Sequence, residues 1–123
     1  MDELTALLGA VGAGFEGDAE TAAEAFTDDG VLADTPGGDV LEGRDAILSW
    51  FLAFGGRRER FVLGDVVRQG DRAAISYAVA FRADAHAYGQ RGMAMLHLRD
   101  GLIASWRGVW VETDEDLSAW GQD

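Results

Sequence analysis

The sequence predicts an α+β fold of cone shape, in which N-terminal helices pack on a curved, mainly antiparallel β-sheet and enclose a pocket. Three observations predict this fold. The length of 123 residues fits a single domain covering residues 1–123. Apolar residues in the first half recur every three or four positions, as in amphipathic helices, whereas from residue 60 they recur every second position, as in strands. Turn-forming pairs separate these strands, which predicts an antiparallel meander.

Three helices are predicted before residue 57. The first covers residues 3–15, although each of its three glycines weakens a helix by about 1 kcal/mol relative to alanine. The second covers residues 19–26 and begins after Asp18, a residue type that caps helix N-termini well. The third begins at Arg44 and ends before the Gly55–Gly56 pair. Its apolar residues lie at i, i+3, i+4 and i+7, namely Ile47, Trp50, Phe51 and Phe54.

A short strand is predicted at residues 31–34, between a turn at residues 27–30 and a loop at residues 36–38. Four longer strands are predicted at residues 60–69, 72–85, 91–99 and 102–112. Their connections are predicted at Gly70–Asp71, around residues 88–90 and at Asp100–Gly101, and the last pair is a strong hairpin signal. Thr113 and Asp116 resemble a capping box that opens a last short helix.

Composition and charge limit the classes of partner. The net charge of −12 disfavours nucleic acids and anionic membranes, so a neutral hydrophobic small molecule is the expected ligand. No apolar stretch approaches the roughly 20 residues that span a membrane. The N-terminus lacks the basic residues of a secretory signal, so a cytoplasmic location is expected. The chain contains no cysteine and no metal-ligand spacing of the HExxH type, so neither a metal nor a cofactor is expected.

Three segments carry a resemblance to a known family: AFTDDGVLADTPGG, LEGRDAILSWF and LRDGLIASWRGVW. Over residues 5–112 the chain resembles the nuclear transport factor 2-like superfamily, and more narrowly its SnoaL-like branch. That branch is akin to polyketide cyclases, ketosteroid isomerases and limonene-epoxide hydrolases. The resemblance implies a pocket on the concave side of the sheet and a homodimer through the convex side. It also implies an acid–base enzyme for a polyketide-, terpenoid- or steroid-like molecule, or else a non-catalytic binding or dimerisation module.

Asp34 is the first candidate catalytic residue, because it falls where ketosteroid isomerases carry their proton-transferring carboxylate. In an apolar cavity, desolvation raises the pKa of a carboxylate and makes it a better base near neutral pH. Those isomerases also use a tyrosine on the first helix and an acid on a central strand, whereas the matching positions here are Ala10 and Met95. The alternative is that Asp34 forms a turn ahead of Pro36.

Arg82 and Asp84 form the second candidate site. They match the Arg-x-Asp of limonene-epoxide hydrolases, in which an arginine bridges two acids around a water molecule. The second acid of that family follows a Trp-Arg pair, but here Gly108 follows that pair, so Asp34 would have to replace the missing acid. The alternative is an ion pair at the strand end, which contributes about 0–1 kcal/mol.

His97 is the third candidate, since it points away from its leucine neighbours and titrates near neutral pH. Its alternative is a hydrogen-bonded core histidine. By the resemblance, the concave side is expected to carry Arg82, Asp84, Met95, His97, Trp106 and Trp110. The substrate is expected to contact Trp50, Phe54, Met95, Trp106 and Trp110. The small residues Ala78, Ala80 and Gly108 either leave room for that substrate or let the helices pack closely.

Overall fold

The computed structural model describes residues 3–35, 38–54, 58–83 and 86–114. These ranges contain three helices: α1 (Glu3–Phe15), α2 (Ala19–Glu24) and α3 (Arg44–Phe54). They also contain six strands: β1 (Phe26–Thr35), β2 (Asp39–Glu42), β3 (Arg58–Gln69), β4 (Arg72–Ala83), β5 (His86–Arg99) and β6 (Leu102–Thr113). Along the chain, two helices precede β1 and β2, and α3 precedes the four long strands.

The strands form one mixed, curved sheet that does not close, in the order β2-β1-β6-β5-β4-β3. β1 runs parallel to β6, and the other neighbouring pairs are antiparallel. The helices pack on one face of the sheet, here termed the inner face, and the main hydrophobic core lies between these two layers. The opposite face is termed the outer face. The predicted α+β cone is confirmed.

The three helices form at their predicted places, except that α2 ends at Glu24 and not at residue 26, because Phe26 already begins β1. α1 and α3 have the predicted bounds, and α1 turns its regularly spaced apolar residues into the core: Leu4, Leu7, Leu8, Val11 and Phe15. α2 begins after Asp18, whose carboxylate accepts hydrogen bonds from the Thr21 amide at 3.3 Å and from the Thr21 hydroxyl at 2.7 Å. These bonds satisfy one of the free amides of the first helical turn.

Residues 27–30 do not form the predicted turn but belong to β1. The pairing of β1 with β6 shifts within this segment, between Phe26 and Val31. There the Thr27 hydroxyl donates a hydrogen bond to the Asp29 carboxylate at 2.9 Å. The turn-forming residues therefore accommodate an irregularity inside the strand instead of ending it.

The sheet is also larger than predicted. Residues 39–42, predicted as part of no element, form β2 and pair with β1. Residues 88–90, predicted as a loop, lie within β5 and pair with residues 79–81 of β4. These short segments carry no clear alternating pattern of their own, and they become strands because a neighbouring strand supplies partners for their backbone groups.

Of the three predicted connections between the long strands, those at Gly70–Asp71 and Asp100–Gly101 are confirmed, whereas the one around residues 88–90 is wrong because β4 and β5 are joined between Ala83 and His86. β3 is joined to β4 at Gly70–Asp71, where Gly70 has a φ of 61°. β5 is joined to β6 at Asp100–Gly101, and both residues have positive φ, 56° and 79°. Two consecutive positive φ values are the mark of the hairpin turn that Asp-Gly favours. The predicted last helix lies largely outside the described residues.

The faces of β5 differ from the assignment made by resemblance. Leu96 pairs with Trp106, and both side chains are 2% exposed beneath the helices, whereas Met95 is 56% exposed on the outer face. Because side chains alternate along a strand, His97 shares the outer face with Met95. The expectation that these two residues lie on one side of the sheet with Trp106 and Trp110 is wrong.

The expected grouping of small residues is wrong for the same reason. Gly108 pairs with Ala94, which in turn pairs with Ile75. Along β4, Ala78 and Ala80 are separated from Ile75 by an odd number of residues, so their side chains lie on the opposite face of the sheet. The small residues of the inner face near Gly108 are therefore Ala94 and Gly92, which belong to β5 and not to β4.

Candidate functional site

Three rows of paired residues cross the inner face between β1 and β4. They are Leu32–Trp106–Leu96–Ala73, Asp34–Gly108–Ala94–Ile75 and Trp110–Gly92–Tyr77. Asp34 occupies the only carboxylate position among these eleven described residues. Tyr77 carries the only hydroxyl group among them. By its backbone, Asp34 belongs to the second row, and the described side chains of the three rows carry no charge.

Aromatic rings fill the space between the helices and these rows. Phe15 of α1 stacks on Phe61 of β3, with ring centroids 5.3 Å apart, and Phe61 stacks on Tyr77 at 5.6 Å. Tyr77 then contacts Trp106 at 5.7 Å with its ring tilted by 57°. Phe51 of α3 packs edge-on against Phe15 at 5.2 Å. These five rings are termed the aromatic cluster, and they hold each other in fixed orientations.

Gly92 determines where the hydroxyl of Tyr77 lies. A Cβ atom built on Gly92 would stand 2.6 Å from the Tyr77 hydroxyl oxygen and would overlap the ring carbon that bears it. Tyr77 is 2% exposed, and the end of its ring lies beside Gly92 in the space that a side chain at this position would occupy. The glycine and the tyrosine are thus a matched pair across neighbouring strands.

The predicted substrate-binding tryptophans lie at different depths. Trp106 is fully packed within the aromatic cluster. Trp50 is half-buried on α3, edge-on to Phe15 at 6.1 Å and to Phe51 at 5.0 Å. Trp110 is half-buried and lies in the same row as Gly92. Trp106 therefore lies in the inner rows and Trp50 in the helices that cover them, whereas Trp110 shares the row of Gly92 and also lines the groove of the outer face, on which Met95 lies.

His97 is part of a surface pair. Its Nε2 atom lies 3.1 Å from a carboxylate oxygen of Asp71, and both side chains are partly exposed. The residue is therefore neither in the core nor near the row of Asp34. A partly exposed pair of this kind contributes at most about 1 kcal/mol to stability.

The register separates the other candidate acids and bases. The side chains of Asp34, Arg82 and Phe54, and the whole of Asp84, lie outside the part of the chain that the structure describes. By its backbone, Asp34 pairs with Gly108, and this row reaches β4 at Ile75. Arg82 follows seven residues later on β4, about 23 Å along a regular strand. The row of Gly108, where the missing second acid would stand, is thus far from Arg82 along the sheet.

The outer face carries an open groove with a volume of about 390 Å³. It is lined by Ser76, Arg91, Gly92, Met93, Val109, Trp110 and Val111. Several large apolar side chains there are exposed, among them Val111 at 65%. Exposed apolar surface of this extent typically marks an interaction site.

A polar cluster fixes the start of β1. The Arg44 guanidinium donates hydrogen bonds to the Phe26 carbonyl oxygen at 2.5 and 3.2 Å and pairs with Asp28 at 2.8 Å. Asp29 accepts a hydrogen bond from Thr27 and is paired with Arg99. The hydroxyl of Thr27, followed by the charge of Arg99, holds the pKa of Asp29 below its ordinary value of 3.8. The GRDAI segment thus has a structural role at the base of the sheet.

A family model described as a SnoaL-like domain matches residues 6–106. The chain belongs to the SnoaL-like family. No curated protein matches it in sequence. Within the part of the chain that the structure describes, no helix is long and apolar enough to cross a membrane, and no three metal-ligating side chains cluster.

Solved structures share the fold of this SnoaL-like chain. A protein of ketosteroid isomerase-like fold from Catenulispora acidiphila, solved with trimethylamine, is 20% identical, with 83% of this chain and 82% of that chain covered and a TM-score of 0.73. An LEH-like epoxide hydrolase from M. tuberculosis is 17% identical, with coverages of 89% and 83% and a TM-score of 0.74. A candidate ketosteroid isomerase from Kribbella flavida is 18% identical, with coverages of 98% and 89% and a TM-score of 0.73. At these identities the likeness establishes the fold alone.

The contact between Tyr77 and Gly92 is a feature of the inner face that the sequence alone does not predict. The alternation of β4 groups Tyr77 with Ile75 and Val79, which reads as core packing. The available signal was a hydroxyl group in the apolar run ISYAVAF, which is followed on the next strand by the glycine of RGMAM. Only the strand register shows that this glycine lies beside the tyrosine.

Proposed function

We propose that the protein is a small acid–base enzyme of isomerase, cyclase or epoxide-hydrolase type. Its substrate is a neutral hydrophobic molecule of the polyketide, terpenoid or steroid kind. The observation that carries the proposal is the position of Asp34 in the second inner row, beside Gly108 and next to the buried Leu32–Trp106 pair. A carboxylate among apolar neighbours is poorly solvated, which raises its pKa and makes it a stronger base.

Proton transfer is assigned to Asp34 alone. We assign Arg82 no part in that step because the backbone register sets it about seven residues along β4 from the row of Asp34, and His97 none because it lies on the outer face. The half-buried Trp50 and Trp110 are proposed to contact the substrate at the edge of the aromatic cluster. A neutral substrate fits this arrangement, because the rows from Leu32 to Tyr77 carry no cationic side chain that would bind an anion.

The test is turnover of a panel of enones and epoxides by the wild type and by Asp34→Asn. General acid–base catalysis contributes about 10²–10⁴-fold, so Asp34→Asn is expected to lose at least about 100-fold in rate while it still binds the substrate. Asp45→Asn, at an exposed position in the first turn of α3, is the matched control and should keep full activity. Equal rates for Asp34→Asn and the wild type would refute the assignment.

A titration of the carboxyl groups by carbon-detected NMR tests the same proposal without a substrate. Asp34 is expected to titrate well above a free aspartate, because desolvation penalises its charged form. The resonance that disappears in Asp34→Asn assigns the signal. A pKa at or below that of a free aspartate would identify Asp34 as a turn residue or an ion-pair member, and not as the base.

A second candidate function is a non-catalytic binding or dimerisation module, and the exposed apolar groove of the outer face favours it. We propose that this face forms a homodimer, since covering Met93, Val109 and Val111 would remove a large apolar surface from water. Val109→Asp is expected to convert a dimer to a monomer in sedimentation at micromolar concentration. Leu52→Glu, at an exposed apolar position on α3, is the control. A wild-type monomer would exclude the dimer.

A further inference from the structure

We propose that the cleft between α1 and the edge strand β3 binds a small hydrophobic amine in its protonated form. The cleft has a volume of about 330 Å³ and is lined by Thr5, Leu8, Gly9, Gly12, Ala13, Glu16, Phe61 and Leu63. In the sheet, β3 is four strands away from β1, which is about 19 Å at about 4.8 Å per strand. The proposed site is therefore separate from the row of Asp34, and it goes beyond the proposed acid–base function.

Gly9 keeps this cleft open at a cost to the helix, because a glycine inside a helix destabilises it relative to alanine. Packing explains the other two glycines of α1. A Cβ at Gly12 would stand 2.9 Å from a carbon of the Phe61 ring, and a Cβ at Gly14 would overlap a neighbouring side chain. A Cβ at Gly9 would meet nothing within 4 Å, so packing within the chain does not explain this glycine. Its effect is to leave room in the cleft.

The walls of the cleft are apolar and held in place by packing. Leu8 is buried, and Phe61 and Leu63 are half-buried. The Phe61 ring stacks on Phe15 with centroids 5.3 Å apart and on Tyr77 with centroids 5.6 Å apart, which fixes its orientation. A ligand that covers these side chains removes apolar surface from water, so the walls favour a hydrophobic molecule. The small volume suits a molecule with a single ring.

A carboxylate lies in the cleft at the end where α1 stops. Glu16 follows the last residue of α1, and its Oε2 atom accepts a hydrogen bond from the Phe61 amide at 2.9 Å. This hydrogen bond ties the carboxylate to β3 and so holds it between the two walls of the cleft. A carboxylate accepts several hydrogen bonds at its two oxygens, so the same group can also bind an ammonium group.

The charges around this end of the cleft favour a cation over an anion. The negative end of the helix dipole lies at the C-terminus of α1, and the last turn of this helix contains no basic side chain. The described residues that line the cleft include Glu16 and no basic residue. The whole chain carries a net charge of −12, which attracts cations. A hydrophobic group with a protonated amine thus matches both the apolar walls and the carboxylate.

The test compares three probes that share a benzyl group and differ in charge: phenethylamine, phenethyl alcohol and phenylacetate. Each is titrated into isotope-labelled protein at neutral pH, and binding is followed by NMR through the backbone amides of Gly9, Gly12 and Phe61. Phenethylamine is expected to bind saturably and about 5-fold more tightly than the alcohol, the effect of one exposed ion pair, and phenylacetate is expected to bind most weakly. No saturable binding of phenethylamine at millimolar concentration, or equal binding of phenylacetate, would overturn the proposal.

Gly9→Leu fills the cleft from the side of the helix and is expected to weaken phenethylamine binding at least about 10-fold. Its Cβ meets no other group and leucine favours helices, so thermal unfolding should show no loss of stability. Gly9→Ala, which adds only a methyl group, should weaken binding to a smaller extent. Ala6→Leu adds the same side chain at an exposed position of α1 outside the cleft and should bind like the wild type. Equal binding by folded Gly9→Leu and the wild type would overturn the proposal.

Glu16→Gln tests the role of the charge, because glutamine keeps the shape of the side chain and an oxygen that accepts from the Phe61 amide. This variant is expected to bind phenethylamine about 5-fold more weakly and phenethyl alcohol as well as the wild type does. If Glu16 only supported the structure of the cleft, both probes would be weakened equally, and the assignment of an amine would be wrong.

Asp34→Asn separates this proposal from the acid–base function. Because Asp34 lies on β1, at the far side of the sheet from β3, this variant is expected to bind phenethylamine like the wild type. Weaker binding in Asp34→Asn would mean that the amine occupies the proposed acid–base site, and it would overturn the assignment to the cleft. Loss of turnover in Asp34→Asn with unchanged binding of the amine would support both proposals.

Discussion

The inner and outer faces of the sheet both carry apolar side chains, but the two faces differ in how exposed these side chains are and in how many charged residues lie among them. On β5 the inner face carries Ala94, Leu96 and Leu98, all buried, whereas Met93 and Met95 of the outer face stand in water next to arginines and a histidine. Among the described side chains of the three inner rows, none is charged. The number of apolar residues on a face therefore does not distinguish a buried core from an exposed interaction surface. The charged and polar residues on the same face distinguish them.

The sharpest test of this difference uses two neighbours on β5. Leu96→Ala is expected to lower the free energy of unfolding by about 2–5 kcal/mol, because it leaves a cavity under the helices. Met95→Ala, one residue away on the outer face, is expected to change it by no more than about 0.5 kcal/mol. Urea unfolding at a concentration where the chain is monomeric measures both. Similar losses for the two variants would mean that the outer face is covered within a single chain.

Most of the fold could be predicted from the sequence, because its signals are local. The bounds of α1 and α3 follow from apolar spacing, and the hairpin at Asp100–Gly101 follows from a residue pair that accepts positive φ. The extension of β1 through residues 27–30 and the strand β2 could not be predicted in this way. Residues 27–30 are turn-forming types and residues 39–42 show no alternation, and both segments are extended where a neighbouring strand pairs with them.

The site could be predicted only in part, because it depends on which strands pair and in what register. Alternation along β5 predicts that Met95 and His97 lie on one face and Leu96 on the other, and the structure confirms this. Alternation does not predict which of the two faces lies under the helices, and the resemblance implied the wrong one. The positions of the charged residues indicate the exposed face better, because Arg91, His97 and Arg99 all lie on the same face of β5 as Met95. The close approach of Tyr77 to Gly92 could not be predicted either, because it depends on the pairing of β4 with β5.

A second test extends the comparison to the two sides of helix α1. A Cβ at Gly14 would overlap the Cβ of Ala22 and come within 3.0 Å of the Phe51 ring, whereas a Cβ at Gly9 would meet nothing within 4 Å. Gly14→Ala is therefore expected to destabilise the protein by about 1–2 kcal/mol through overpacking. Gly9→Ala should stabilise it by up to about 1 kcal/mol through helix propensity. Thermal unfolding of both variants checks the opposite signs, and a gain for Gly14→Ala would contradict the close contact between α1 and α2.

The smallest expected effect concerns Asp29, which lies at the base of β1 and belongs to neither apolar face. Because its pKa is lowered in the folded protein, its contribution to stability is fully present above the ordinary value of 3.8 and is lost as the pH falls through the lower folded value. Thr27→Val removes the largest cause of that shift and should return the NMR titration of Asp29 toward the ordinary value, whereas Thr27→Ser, which keeps a hydroxyl, should not. The change in stability should be small and confined to acid pH, since the carboxylate is exposed to water. An unchanged titration in Thr27→Val would show that Arg99 alone sets this pKa, and that the hydroxyl of Thr27 stabilises only the irregular start of β1.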